Sequence, residues 1–269
     1  MIDNNDYRKL SLDAFNKYKK GNWGVHILNR CVSTFDIAKE KIKEKASHGT
    51  LIIAETQTGG KGRQARKWLS PQGGIWMSII LKPRLDLSLL SSITLLCAVA
   101  VSKTIEEMFP QLNPEIKWPN DIYINSKKVS GMLTETIVQK GSAEYSIVGI
   151  GINANNTSEL MDEEVKMTSI SFNDMGIHVN REQMASCIND KLQDLISTYV
   201  KEENLDFILD YYHKHMHWVN EEAVMKNTIT NEVSKKGIIR GIDKQGQLLM
   251  EIDGQVEKIV SGELSLRRE

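Results

Sequence analysis

Apolar and polar positions along the chain fall into short runs that predict strands interleaved with a few helices. Residues 25–32 read as a strand, and Thr34 is placed to cap a short helix built on Ile37, Ala38, Lys39, Glu40 and Ile42. Residues 51–54 and 75–81 are compact apolar runs suited to buried strands. A helix is predicted over 88–108, stopped by Pro110 and Pro114. Residues 115–118 and 121–125 are two strand pieces split by Pro119-Asn120, a pair suited to the centre of a tight turn. Ser126-Lys127 is a polar break before a strand over 129–138. The strand over 145–153 holds Gly149 and Gly151, which point to bulges or to close approach of a ligand. Residues 181–200 and 205–215 read as helices. After Trp218 the segments turn short and alternating, broken by Asp243-Lys244-Gln245-Gly246 and by the hairpin signal Asp253-Gly254. The pattern is α+β: strands around one or two helices, then a small all-β unit read as a five-stranded barrel.

Composition narrows this picture. With 269 residues, 41% of them apolar, the chain can bury a sizeable core as one large domain or a large and a small one. A net charge of −1 argues against a general nucleic-acid binder, while leaving room for a local basic patch. Cys31, Cys97 and Cys187 are scattered without a CxxC pair, as expected of reduced thiols in the cytoplasm. The opening MIDNNDYRKL has no apolar core of a secretory signal. The most apolar stretch, 87–101, is shorter than a membrane span and is interrupted by Ser88, Ser91, Ser92 and Thr94, so it is assigned to a buried helix.

The charge is segregated in one place. From residue 56 to residue 85 there is no acidic side chain, while Lys61, Arg63, Arg66, Lys67, Lys82 and Arg84 fall within that span. Gly59, Gly60 and Gly62 let backbone N–H groups approach a ligand, and arginines supply forked donors for phosphate or carboxylate. The segment 59–67 is therefore expected to be an anion-binding loop, ended by Trp68. Charge and glycine alone would favour a solvated loop; Trp68, followed by Ser70-Pro71-Gln72-Gly73-Gly74 and a strand, shifts the balance to a ligand-binding one. The letters Gly60-x-Gly62-x-x-Ala65 match a dinucleotide fingerprint, but that motif must open a helix, and too few residues precede Pro71 and the next strand. A Walker A loop needs Ser or Thr after its Gly-Lys, and Lys61 is followed by Gly62.

A second constellation is Lys117-Trp118-Pro119-Asn120-Asp121. Read as chemistry, the turn would present Lys117 to phosphate, and Asn120 and Asp121 to ribose or magnesium. Read as structure, it merely joins two strands. Lys128 and Gly131 open the next strand, and Asn153 ends the last one of the large unit.

In order and spacing, Ser33-Thr34, ETQTGGKGRQARKW (55–68), KWPNDIYINSKKVSGM (117–132) and GIGINAN (149–155) resemble the biotin protein ligase family, and residues 237–267 resemble its small C-terminal SH3-like barrel. The resemblance runs from about residue 25 onward. It implies a catalytic domain like that of class II aminoacyl-tRNA synthetases, a mixed sheet with helices, over 25–220. A barrel would follow over 221–269, and residues 1–24 would be an extension. The implied activity is ATP-dependent ligation of biotin, through biotinyl-5′-AMP, to a lysine of the biotin carboxyl carrier domain of a carboxylase. ATP, Mg²⁺ and biotin are the implied ligands. Arg63 and Lys128 would be catalytic. Ser33, Thr34, Gln57, Lys61, Gly62, Arg63, Lys128, Gly131 and Gly151 would bind biotin. Arg63, Arg66, Trp68, Lys117, Asn120, Asp121 and Asn153 would bind ATP, with magnesium near Asp121 and Asn153. Three positions depart from the pattern: Lys61 for arginine, Ala65 for glycine, and Phe35 for asparagine after Ser-Thr. Some members begin with a DNA-binding domain. About 24 residues precede the core here, so no DNA binding is expected, and none to a membrane; a monomer or a homodimer through a sheet edge is implied. The rival readings are a lipoate–protein ligase and a nucleotide-holding protein-binding module.

Overall fold

The computed structural model describes residues 9–83, 85–86, 89–139, 142–157, 162–227, 230, 232–260 and 264–268. Arg84, Leu87 and Ser88 of the sequence reading lie outside these, as do residues 1–8 of the N-terminal extension.

Two sheets carry the chain. The larger is built from β1 (Val25–Cys31), β2 (Thr50–Lys61), β3 (Lys67–Ser70), β4 (Ile75–Leu81), β5 (Glu115–Lys117), β6 (Asp121–Ile124), β7 (Lys127–Gln139) and β8 (Ser142–Ile152). Its order is β1-β2-β4-β8-β7-β6-β5, with β3 paired to β2. β1 and β2 are parallel, joined by a crossover through helix α2 (Thr34–Lys43); the other pairs are antiparallel. Every residue of β4 is buried because both faces are covered. Ile75, Met77, Ile79 and Leu81 join the main core with helix α3 (Ser92–Met108), while Ile80 joins a second cluster with Phe35 and Ala38 of α2. This two-sided burial is why residues 75–81 read as an unbroken apolar run rather than an alternation.

Several boundaries differ from the sequence reading. Ser33, not Thr34, caps α2: its side chain accepts from the Phe35 N–H, and Thr34 is already helical. The strand expected over 51–54 runs to Lys61, so Gly59 and Gly60 are strand residues, not loop. A Cβ on Gly60 would lie 2.4 Å from the Trp68 carbonyl oxygen, so only glycine permits the close Gly60–Trp68 pairing of β2 with β3. The polar break is Asn125-Ser126, with φ of 52° and 61°, and Lys127 already belongs to β7. Helix α3 begins at Ser92. No register shift occurs at Gly149 or Gly151, so these glycines are not bulges.

The described part of the N-terminal segment belongs to the main core. Helix α1 (Leu12–Tyr18) contributes Phe15, flanked by Leu10 and Trp23, and all three are buried there. Asp190, on the long helix α5 (Arg181–Glu202), accepts from Lys20 N at 2.8 Å, Gly21 N at 3.2 Å and Trp23 Nε1 at 2.7 Å. Arg181 at the start of α5 forms a buried ion pair with Glu55 of β2 at 2.7 Å, and Leu10 N donates to the same carboxylate at 2.6 Å.

A short helix α4 (Glu163–Thr168) follows β8, and α6 (Asp206–His215) leads into the second sheet. That sheet comprises β9 (Glu222–Asn227), β10 (Val233–Ile242), β11 (Leu248–Ile252), β12 (Gln255–Ile259) and β13 (Leu264–Arg268), all antiparallel, in the order β12-β11-β10-β9-β13. Five strands were expected, and the Asp253-Gly254 hairpin forms with φ of 50° and 77°. The β10–β11 turn seats this SH3-like unit on the larger one. Trp118 Nε1 donates to the Gly246 carbonyl at 3.1 Å, and Leu205 N to the Lys244 carbonyl at 3.0 Å.

Candidate active site

A cavity of about 610 Å³ opens over the sheet between α2 and the β2–β3 connection on one side and the β5–β6 turn on the other. Every residue named above as a candidate for biotin or ATP lines it. Residues far apart in sequence meet because β2, β8, β7 and β6 bring their ends to the same place.

One end is neutral and hydrogen-bonding. Gln57 Oε1 accepts from Thr34 N at 2.8 Å and Thr34 Oγ1 at 3.1 Å, and Gln57 Nε2 donates to Ser70 Oγ at 2.8 Å. Thr34 Oγ1 also pairs with Ser78 Oγ at 2.9 Å. Ser33 and Thr34 are buried and Gln57 partly so, and their mutual hydrogen bonds preset the donors and acceptors of this polar frame.

The other end is cationic. Lys128 forms an ion pair with Asp121 at 2.7 Å, and its ammonium lies 5.0 Å from the Trp68 ring centre. Asn153 N donates to the Val129 carbonyl and Ile170 N to that of Lys128, so backbone on both flanks holds this strand. Arg63 crosses from the β2–β3 connection to donate to Asn120 Oδ1 at 3.0 Å, while Asn120 Nδ2 donates to the Met132 carbonyl at 3.0 Å. Burial lowers the Arg63 pKa, partly opposed by Asp121. Lys117 is buried and donates to the Tyr123 hydroxyl at 3.2 Å, with its ammonium 4.8 Å from the Trp218 ring centre. Desolvation brings its pKa down to about 8, against the pull of Asp121 and helped by Arg267, Lys128 and Arg66. Burial also raises the Tyr123 hydroxyl to about 12.

Two expected residues sit differently from the rest. Lys61 is at the rim, its ammonium paired with Asp36 of α2. Trp68 packs against the sheet: a Cβ on Gly151 would be 2.5 Å from its ring, and one on Gly131 2.9 Å. The sequence reading also missed lining residues. Phe35, Tyr123, Trp218 and Arg267 all border the cavity. Arg267 comes from β13, and only the docking of the second sheet brings it near Lys117. Nothing local in the sequence marks it apart from other terminal arginines.

Residues 28–153 match the Biotin/lipoate A/B protein ligase family, and residues 227–267 match the Biotin protein ligase C terminal domain. The chain is 34% identical over 254 residues to the bifunctional ligase/repressor BirA of Bacillus spizizenii, a match covering 90% of this chain and 74% of that protein. The chain belongs to the biotin protein ligase family. BirA of Escherichia coli is 29% identical, with the same coverage of 90% and 74%. Among solved structures, biotin protein ligase from Aquifex aeolicus in complex with biotin and ATP superposes with a TM-score of 0.76 at 29% identity, covering 91% of this chain and 99% of that one. The two halves of the cavity, one neutral and one cationic, are what a family that joins an uncharged ring system to a nucleotide requires.

Proposed function

We propose that the chain activates biotin with ATP and transfers it to a lysine of a biotin carrier domain of a carboxylase. The observation that carries this reading is the junction at Lys128, where the polar frame of Ser33, Thr34 and Gln57 meets the cations Arg63, Lys117 and Lys128. A carboxylate and a triphosphate repel one another. Preset cations in a water-poor site offset that repulsion and stabilise the charge that builds on the α-phosphate. The biotin carboxylate oxygen attacks that phosphorus and pyrophosphate leaves; the acceptor amine then attacks the acyl carbon and AMP leaves.

In this reading Ser33, Thr34 and Gln57 hold the ring system. Gly62, Gly131 and Gly151 allow close approach, and Lys61 stands at the entrance. Arg63 and Lys128 act on the carboxylate and α-phosphate. Arg66, Trp68, Lys117, Asn120, Asp121 and Asn153 hold the nucleotide. Among the described residues no cluster of three His, Cys, Asp or Glu side chains could cage a metal. One carboxylate beside amide oxygens instead fits magnesium that arrives on the nucleotide, with Asp121 and Asn153 as its donors. Magnesium would neutralise phosphate charge there. We divide the chain into a catalytic unit over 25–220, braced by residues before it, and an SH3-like unit over 221–269. The chain would act as a monomer or as a homodimer joined through an edge of the large sheet, whose order ends at β1 and β5. Three free thiols fit a reducing cytoplasm.

The test is direct. The chain is incubated with biotin, ATP-Mg and an apo carrier domain, and the carrier is weighed by mass spectrometry. Gain of one biotinyl group is expected. Gain with lipoate but not biotin would establish the lipoate reading instead, and no gain with either would leave a binding module.

A further inference from the structure

A floor without side chains runs along the sheet beneath the cavity. Gly149 and Gly151 are two residues apart in β8 and so face the same side. Gly131 of β7 pairs with Gly151. Two aromatic rings rest on this floor. A Cβ on Gly149 would lie 3.0 Å from Phe35 Cδ2, and one on Gly151 would lie 2.5 Å from Trp68 Cε2. At about 3.4 Å per strand residue the two seats are roughly 7 Å apart.

The rings are held in different ways. Trp68 is half-buried on a strand of four residues that follows the basic connection. Phe35 is 3% exposed, in the first turn of α2, and packs with Ala38, Ile52 and Ile147 in the second core cluster. The polar frame beside it does not depend on the ring. Thr34 is held by Gln57 and Ser78, and the Phe35 N–H by the Ser33 hydroxyl. Besides packing in that cluster, the ring borders the cavity next to the groups that would hold the biotin bicycle.

We propose that Phe35, seated on Gly149, is the end wall of the acid-binding half of the cavity and sets the largest ring system it accepts. The proposal rests on the biotin reading above. A bicycle hydrogen-bonded along Ser33, Thr34 and Gln57 meets the Phe35 edge next. A single methylene too many against an apolar wall changes selectivity by roughly 10- to 200-fold.

The experiment measures kcat/KM for pyrophosphate release with biotin and with two analogues that carry a bulkier bicycle. One has the ring sulfur oxidised to the sulfone, and the other has a ureido nitrogen methylated. The full-length wild-type chain is compared with Phe35→Leu and, as a volume-conserving second variant, Phe35→Met. The ratio of analogue to biotin does not depend on the folded fraction, because one population turns over both. It should rise about tenfold or more for at least one analogue in a Phe35 variant. An unchanged ratio for both analogues, with biotin still turned over, overturns the proposal. In a second arm, Gly149→Ala crowds the ring and should lower biotin kcat/KM, and adding Phe35→Leu should recover it. No recovery also overturns the proposal. No biotin turnover by the wild-type chain is a separate result, which overturns the biotin reading itself.

Discussion

Lys128 lines the cavity with its ammonium paired with Asp121 and 5.0 Å from the Trp68 ring centre. If this cation meets the charge that develops during adenylation, as proposed, its removal acts on the chemical step. Lys128→Ala should abolish biotin-dependent pyrophosphate release, with a loss of about a hundredfold or more; retained release would rule out the role. Lys117 adds a pH dependence. Its pKa is depressed to about 8 from 10.5. Below pH 8 the side chain is an ammonium, the form the proposed phosphate contact needs; as pH rises through 8 the free site loses that charge. A bound polyanion favours the charged form, so ATP binding above pH 8 must take up a proton. The KM for ATP should therefore rise between pH 7 and pH 9, and calorimetry in buffers of different ionisation enthalpy should show the uptake. Lys117→Gln should remove both effects. At this scale the sequence was informative: Arg63, Lys117, Asn120 and Asp121 were singled out by residue type and spacing, Lys128 only by the family resemblance, and all line one cavity.

At the scale of elements, the basic segment is less a loop than a strand, a turn and a strand. β2 carries Gly59 and Gly60 into pairing, Gln64 takes a left-handed φ of 56°, and β3 returns along β2. Arg66 is exposed beside this turn, and Arg63 reaches inward to Asn120. Ligands that engage Arg63 and Arg66 should tighten the connection. Trypsin cleavage after Arg63 or Arg66, followed by mass mapping of the first cuts, should slow severalfold with biotin plus ATP-Mg. Cleavage unaffected by the ligands would mean that the connection does not close over them. The strand character was hidden in the sequence because glycine and charge resemble a loop. It is set by a partner, β3, that can come close only where a side chain is missing. The glycines of β8 left two readings open, bulges or close approach of a ligand; the bulges are absent, and Phe35 and Trp68 lie against these glycines.

In the whole molecule the site depends on how distant segments are tied. The buried pair Glu55–Arg181 links β2 to α5 and receives the Leu10 N–H. Arg181→Met leaves a buried carboxylate without its charge partner and should cost about 3–5 kcal/mol. Urea unfolding would read this as a lowered midpoint at unchanged slope; a loss under about 1 kcal/mol would show that the Leu10 contact and water suffice. What the sequence by itself determined was local: where apolar runs become strands, where Pro119-Asn120 turns, where Asp253-Gly254 makes a hairpin, and which charged residues share a family pattern. These follow from backbone preference and side-chain type, which act over a few residues. Only the tertiary structure decided that Arg267 of the second sheet and Trp218 of the connection border the same cavity as Lys117, that Lys61 turns to Asp36, and that Phe35 closes one end. Those outcomes depend on packing between segments far apart in the chain, and no local preference records which distant side chain will fill the space above a glycine.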